Sequence, residues 1–203
     1  MIGIVDYGMG NLWSVKKKLD NLGVNNIISS VKEGLENCNK LILPGVGHFK
    51  QATEEIKTRG LWEFLNHFVL VDKKPILGIC LGMQLMVEKS EEGNSSGFGW
   101  INGEVKRFEI KDKLRYKIPH IGWNTLKLNN HLSILDNVNE SDEFYFVHSF
   151  HCCNINSADV IATTEYEYNF TSAFSRDNIF GMQFHPEKSH GAGEKILRNF
   201  ANI

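Results

Sequence analysis

The first half of the chain alternates short apolar runs with longer amphipathic stretches. Ile2-Gly3-Ile4-Val5, Leu41-Ile42-Leu43 and Pro75-Ile76-Leu77-Gly78-Ile79 are apolar throughout, the pattern of strands buried on both faces. Between the first two, Leu12, Val15, Leu19 and Leu22 recur at helical spacing, while Lys16, Lys17 and Lys18 lie largely elsewhere. Asn11 stands where such a helix takes its cap. After Gly60, Leu61, Phe64, Leu65, Phe68 and Val69 repeat the helical spacing. Strands alternating with helices predict an α/β domain, a parallel sheet with helices on both faces.

Beyond about Ser90 the texture changes. Segments 98–108, 118–128, 144–147, 159–164, 170–174 and 179–184 read as strands with little helix between them, an antiparallel region. Arg176-Asp177-Asn178 is a hairpin turn between two of them. A last helix turns Ile196, Leu197 and Phe200 to one side. Glu91 to Gly97 is the one flexible-looking stretch, and it reads as a surface loop rather than a linker. There are no internal repeats, so residues 1–203 are expected to form a single domain.

The chemistry concentrates where the third apolar run ends. Gly78-Ile79-Cys80-Leu81-Gly82-Met83-Gln84 passes from strand to a helix expected to run through Leu85, Met86 and Val87. Cys80 then sits on the turn, with a glycine two residues to either side so that strand and helix pack closely. That is the logic of a nucleophile elbow with cysteine in place of serine. The helix end favours thiolate over thiol, and thiolate is the nucleophile. Cysteine is also a common small buried apolar residue, and this segment alone admits that reading.

A cysteine nucleophile needs a base, and the base needs a group to orient it. The strand at 179–184 runs directly into His185-Pro186-Glu187-Lys188-Ser189. On an extended segment His185 and Glu187 leave the same face, and Pro186 pushes His185 toward that conformation. Glu187 then steadies the imidazole while His185 serves Cys80. Leu43-Pro44-Gly45-Val46-Gly47 ends another strand of the sheet and opens at the same carboxyl edge, where ligands bind in such folds. Its glycines leave backbone N–H groups able to swing toward an oxyanion, and they suit a simple tight turn equally well.

These segments, with Asp6-Tyr7-Gly8-Met9-Gly10-Asn11, Pro119-His120-Ile121-Gly122-Trp123-Asn124 and Tyr145-Phe146-Val147-His148-Ser149, resemble the triad (class I) glutamine amidotransferases over nearly the whole chain. Within that family the likeness is greatest to the glutaminase subunits of imidazole glycerol phosphate synthases, from histidine biosynthesis. The resemblance implies a flavodoxin-like three-layer sandwich, a single glutamine amidotransferase type-1 domain over 1–203, and a Cys80–His185–Glu187 triad acting on L-glutamine without a cofactor or metal. It assigns the oxyanion site to Val46, Gly47 and the amide of Leu81. It assigns glutamine binding to Gly45, Gln84, Ser149 and Phe150; relatives often carry tyrosine at the last position. It also implies a heterodimer with a (β/α)8-barrel synthase that uses the ammonia. Asn11, Trp123, Tyr145 and Lys188 are then the interface candidates, although Trp123 reads equally well as core.

Composition is compatible with this and narrows it. The 22 basic against 24 acidic side chains give a formal charge of −2, which argues against a nucleic-acid partner. No apolar run approaches the roughly 20 residues of a membrane span, and the start lacks a charged leader. Cys38, Cys80, Cys152 and Cys153 show no framework spacing, so a reducing cytoplasm is expected. Gly8-Met9-Gly10 has Trp13 where a dinucleotide fingerprint needs its third glycine. His148, His151, Cys152 and Cys153 lack a second matching pair for zinc. Lys106, Arg107, Lys111 and Lys113 read as a solvated face. Two rivals keep an elbow: a glutaminase feeding a nucleotide-sugar amidotransferase, and a cysteine peptidase or γ-glutamyl hydrolase. A regulatory role without catalysis is disfavoured because all three triad residues are present.

Overall fold

The structure, a computed structural model, describes residues 1–129 and 132–203. In chain order the first half contains β1 (Ile2–Val5), α1 (Leu12–Asn21), β2 (Asn26–Ser29), α2 (Lys32–Leu35), β3 (Lys40–Gly45), α3 (Phe49–Thr58), α4 (Leu61–Asn66), β4 (Ile76–Cys80) and α5 (Leu81–Gln84). There follow β5 (Val87–Ser90), β6 (Ser95–Ser96), β7 (Ile101–Arg107), β8 (His120–Thr125), β9 (Lys127–Leu128), β10 (Glu143–His148), β11 (Phe150–Cys153), β12 (Val160–Tyr166), β13 (Tyr168–Arg176), β14 (Ile179–Met182) and α6 (His190–Asn202). The main sheet has eight strands in the order β2-β1-β3-β4-β14-β13-β12-β9. Pairs from β2 to β14 are parallel. Those from β14 to β9 are antiparallel.

Alternation along the buried strands divides the interior in two. Ile4, Ile42, Leu77 and Ile79 enter one apolar cluster, closed by Val15 and Leu19 of α1 and by Ile196, Leu197 and Phe200 of α6. Val5, Leu41, Leu43 and Ile76 enter the other, closed by Phe49, Ala52 and Ile56 of α3 and by Leu61 and Leu65 of α4. The result is the three-layer α/β sandwich expected, with a mostly parallel sheet and an antiparallel C-terminal region. Two smaller sheets, β10-β8 and β11-β7-β5-β6, complete it. Only Ser149 separates β10 from β11, so the chain crosses between those sheets over one residue.

Several local readings change. The elbow helix stops at Gln84, and Val87 opens a strand that pairs with β7 instead of continuing the helix. The apolar run Leu85-Met86-Val87 fits either element, and tertiary pairing decides between them. Asn11 does not cap α1 with its side chain, although its carbonyl receives the Val15 N–H at 3.3 Å. The second long helical pattern is α-helical only to Asn66 and becomes a π-turn over His67–Val71. β2, α2, α3 and β11 lie outside the predicted elements. The two-residue turn at Asp177-Asn178 is present, with Arg176 paired to Ile179. Within the expected loop at 91–97, Ser95 and Ser96 pair with β5 as β6.

Close packing at the elbow makes its glycines obligatory. A Cβ on Gly82 would lie 1.7 Å from the Leu43 carbonyl oxygen, and one on Gly78 would lie 2.7 Å from the backbone of Gly82 and Met83. Gly82→Ala must therefore push α5 off β3. We expect it to lower unfolding stability by about 3 kcal/mol or more, measured by denaturant titration. A variant as stable as wild type would mean the elbow is looser than this.

Candidate active site

Cys80 ends β4 in a strained conformation, φ 54° and ψ −110°, and α5 begins at the next residue. A non-glycine residue held there marks a built feature. The register places Gly45 of β3 opposite Cys80, and Met182 of β14 opposite Ile79. The glycine loop, the elbow and the His-Pro-Glu segment thus meet at one carboxyl edge of the sheet. The Cys80 thiol is nearly buried, with the Val147 carbonyl oxygen 4.0 Å from sulfur. The Gln183 amide nitrogen points at the same sulfur from 3.7 Å.

His185 follows β14 with an extended backbone, as its position before proline predicts. Its Nδ1 lies 2.8 Å from Glu187 Oε1, both side chains being buried. The contact is made by a 3-10 turn over Pro186–Lys188 rather than by an extended segment, so the predicted pairing is right and its backbone differs. The other ring nitrogen is buried without a well-formed hydrogen bond and interacts with Cys80. Burial opposes charge on His185. Bonding and attraction to Cys80, then to Glu187, outweigh burial and push the imidazolium up to about 10. The base is anchored from behind: its N–H donates to Tyr145 O at 2.9 Å. Ser189 Oγ donates to its carbonyl at 2.6 Å while accepting the Tyr145 N–H at 3.0 Å.

A cleft of about 450 Å³ opens over the sulfur. Val46, Gly47, Leu81, Gln84, Ser149, Phe150 and Lys188, all expected in or beside the site, line it. Gly45 does not reach the cleft wall. It is packed against Tyr7, whose hydroxyl would meet a Cβ there at 2.2 Å. Gly47 has φ 112°, a left-handed conformation that favours glycine. Gln84 is buried; its Nε2 donates to the Phe150 carbonyl at 2.9 Å and to Gln183 Oε1 at 3.0 Å. Both amide protons are thereby used, which leaves Gln84 Oε1 as the acceptor available to a ligand. The contact to residue 150 is through backbone, so phenylalanine there loses nothing that tyrosine would supply to Gln84.

Trp123 is 43% exposed, which excludes the core reading. It stacks on His190 with centroids 5.0 Å apart and meets Tyr145 edge-on. The Lys188 ammonium stands 5.4 Å over the Tyr145 ring. Ile121 and Val46 are exposed as well. Asn11 heads α1, which packs beside the Pro186–Lys188 turn. His151 bonds Tyr168 through Nε2 at 2.9 Å, and among the described residues no metal-holding group of acidic, histidine and cysteine side chains forms.

Sequence reasoning missed four contributors. Glu92 lines the cleft and accepts the Phe49 N–H at 2.8 Å, although its surroundings read as a surface loop. Gln183 faces the nucleophile, Ser189 braces the base, and His148 stands on the cleft wall. Gln183 and Ser189 flank the histidine in sequence, and that adjacency was the available signal. Nothing in the sequence ties Glu92 to a site.

A thiol presented on a strained turn, with imidazole and carboxylate behind it, is the equipment of a hydrolase that cleaves amides through an acyl-enzyme. The comparisons with known proteins narrow the class. The chain belongs to the class I glutamine amidotransferases: the family model described as "Glutamine amidotransferase class-I" matches residues 3–203. It is 46% identical over 200 residues to imidazole glycerol phosphate synthase subunit HisH 2 of Methanococcus maripaludis, covering 98% of each chain. It is 43% identical over 204 residues to the HisH subunit of Leptospira interrogans, covering both chains completely. Among solved structures, PurLQS from Thermotoga maritima superposes with a TM-score of 0.73 at 19% identity, covering 99% of this chain and 97% of the matched one. That likeness is one of fold.

Proposed function

We propose that this chain is the glutaminase subunit of an imidazole glycerol phosphate synthase, a single domain acting as one half of a heterodimer with a (β/α)8-barrel synthase in the cytoplasm. The carrying observation is the triad arrangement around Cys80, in a family member that matches subunits of that synthase along its full length. Cys80 thiolate attacks the side-chain carboxamide of L-glutamine. The oxyanion is received by the N–H groups of Leu81 and of the Val46–Gly47 segment. His185 passes its proton to the departing nitrogen, releasing ammonia and leaving a glutamyl thioester. Water, deprotonated by His185, then cleaves the thioester to glutamate and restores the thiolate. Gln84, Ser149 and Phe150 seat the amino-acid end, with Gln84 Oε1 and Glu92 as acceptors for its ammonium.

The ammonia goes to the partner, which uses it to form imidazole glycerol phosphate and an aminoimidazole carboxamide ribotide. We assign Trp123, Tyr145, Lys188 and Asn11 to that contact. Exposed Val46, which lines the cleft, extends it to the cleft's lip, as an ammonia-delivering interface requires. Among the described residues no helix is long and apolar enough to cross a membrane. Reading the partner as a nucleotide-sugar amidotransferase keeps the same site.

Steady-state assays with and without the barrel synthase and its ribonucleotide substrate test the proposal. Because the glycine loop can turn its peptide, the free chain is expected to hydrolyse glutamine slowly. Partner plus acceptor should raise the rate about 100- to 1,000-fold, the worth of one oxyanion donor. Full activity in the isolated chain would rule out this regulation. Failure of the barrel synthase to use glutamine through this chain, with glutaminase present, would favour the other partner.

A further inference from the structure

A chain of hydrogen bonds, with donors converging on the Phe150 carbonyl oxygen, links β8 to the nucleophile. His148, the last residue of β10, is buried and paired in register with His120 of β8. Its Nδ1 lies 2.8 Å from the Phe150 carbonyl oxygen, and its Nε2 lies 3.2 Å from His120 Nδ1. A carbonyl only accepts, so His148 Nδ1 carries a proton and donates it. Burial favours the neutral form of both rings: His120 falls to about 4, and His148 lies well below its ordinary value despite the opposing bond to Phe150. Neutral His148 then has only an acceptor at Nε2, so the proton between the rings belongs to His120.

Every further link has a fixed sense. The Phe150 oxygen also accepts from Gln84, whose second amide proton goes to Gln183 Oε1. That turns the Gln183 amide so that its N–H₂ faces the Cys80 sulfur, a donor that favours thiolate. The segment so braced, Ser149-Phe150, is the single-residue crossing between two sheets. On the other side its Ser149 carbonyl accepts the Phe108 N–H at 3.0 Å.

We propose that His148 is a positioning residue for glutamine: held in one tautomer by His120, it fixes the Phe150 carbonyl and with it the cleft wall of Ser149, Phe150 and Gln84. This rests on reading the cleft as the glutamine site. Phe150 O retains Gln84 when His148 is replaced, so the loss falls on the placement of the wall more than on buried hydrogen bonding.

The test is glutamine titration of the complete glutaminase–synthase complex. His148→Leu should raise KM about tenfold while kcat stays within about threefold. His148→Asn can put an amide N–H where Nδ1–H stood, and should return KM to within about threefold of wild type. His148→Gln reaches the Nε2 position instead and should behave like His148→Leu. A purely structural role would treat the two amides alike; equal KM for them, or unchanged KM in all three variants, overturns the proposal. Should the His148 variants fail to fold, His120→Phe decides. It keeps the ring packed against Phe146 and Tyr166, at 4.9 and 4.0 Å between centroids, and removes only the donor. KM should then rise about threefold with kcat held, and an unchanged KM overturns the proposal. A wild-type complex that does not hydrolyse glutamine defeats the functional reading itself. One that does, with His148→Leu indistinguishable from it, defeats the positioning role alone.

Discussion

Cys80→Ser is expected to abolish glutamine hydrolysis, lowering kcat about 10⁴-fold or more, while the synthase complex still makes product from added ammonium. The sulfur lies beside the buried imidazole of His185 and is a main cause of that ring's raised proton affinity. A serine hydroxyl does not ionise near neutral pH, so the variant loses the nucleophile and the main support of the His185 charge together. Replacing SH by OH at a nearly buried site changes little volume and leaves the fold in place. Glutamate release and ammonium-driven product formation, measured on one preparation, separate the two activities. A variant that kept a tenth of the wild-type glutaminase rate would sink the elbow assignment, and one that lost ammonium-driven synthesis as well would indicate that the assembly had been damaged.

The sandwich was legible because its buried strands are continuous apolar runs and its long helices keep strict spacing. β2 was not, since Asn26-Ile27-Ile28-Ser29 is an edge strand with a half-polar, partly exposed pattern. α3 escaped because its buried face carries only two large apolar residues, Phe49 and Ile56, set among small Ala52 and polar Thr53. The helix drawn through Val87 failed for another reason. Local periodicity permitted it, and pairing with Ile101 across the second small sheet overrode it. At the site, the motif spacing revealed the groups that react, because glycine, cysteine, histidine and proline leave strong local signatures. It did not reveal those that orient. His148 drew notice only as a possible metal ligand, since its acceptor at Phe150 is a backbone oxygen and its donor, His120, comes from a strand 28 residues away. Glu92 enters the cleft through the fold of a polar loop, and no local pattern encodes that.

The exposed residues around the cleft are joined to the catalytic groups through short paths. Tyr145 lies under the Lys188 ammonium at the surface, while its backbone binds the His185 N–H and, through Ser189, the His185 carbonyl. β8 likewise carries outward-facing Ile121 and Trp123 and inward-facing His120. A partner seated on these strands therefore touches the supports of the base and of the substrate wall without entering the active site. The proposed division of labour follows: the braced triad holds the chemistry ready, and a turned Val46–Gly47 peptide would complete the oxyanion site when a partner binds.

That division sets the second large effect, within the triad itself. His185→Ala removes the only proton carrier between thiol and leaving nitrogen, and is expected to lower kcat about 10⁴-fold or more, close to the loss for Cys80→Ser. Glu187→Gln should be milder by about one to two orders of magnitude, because a glutamine oxygen can still accept from Nδ1 and hold the ring. It will not be silent. Glu187 Oε2 is buried without a hydrogen-bond partner, so an amide N–H₂ placed there finds no acceptor, and the carboxylate charge that helps keep the imidazolium is gone. Rates measured at saturating glutamine in the assembled complex give the comparison, with unfolding curves to confirm that each variant is native. Equal losses would show that Glu187 is needed for its charge as much as His185 is for its proton. A Glu187→Gln variant at wild-type rate would mean that Ser189 and Tyr145 alone suffice to orient the base.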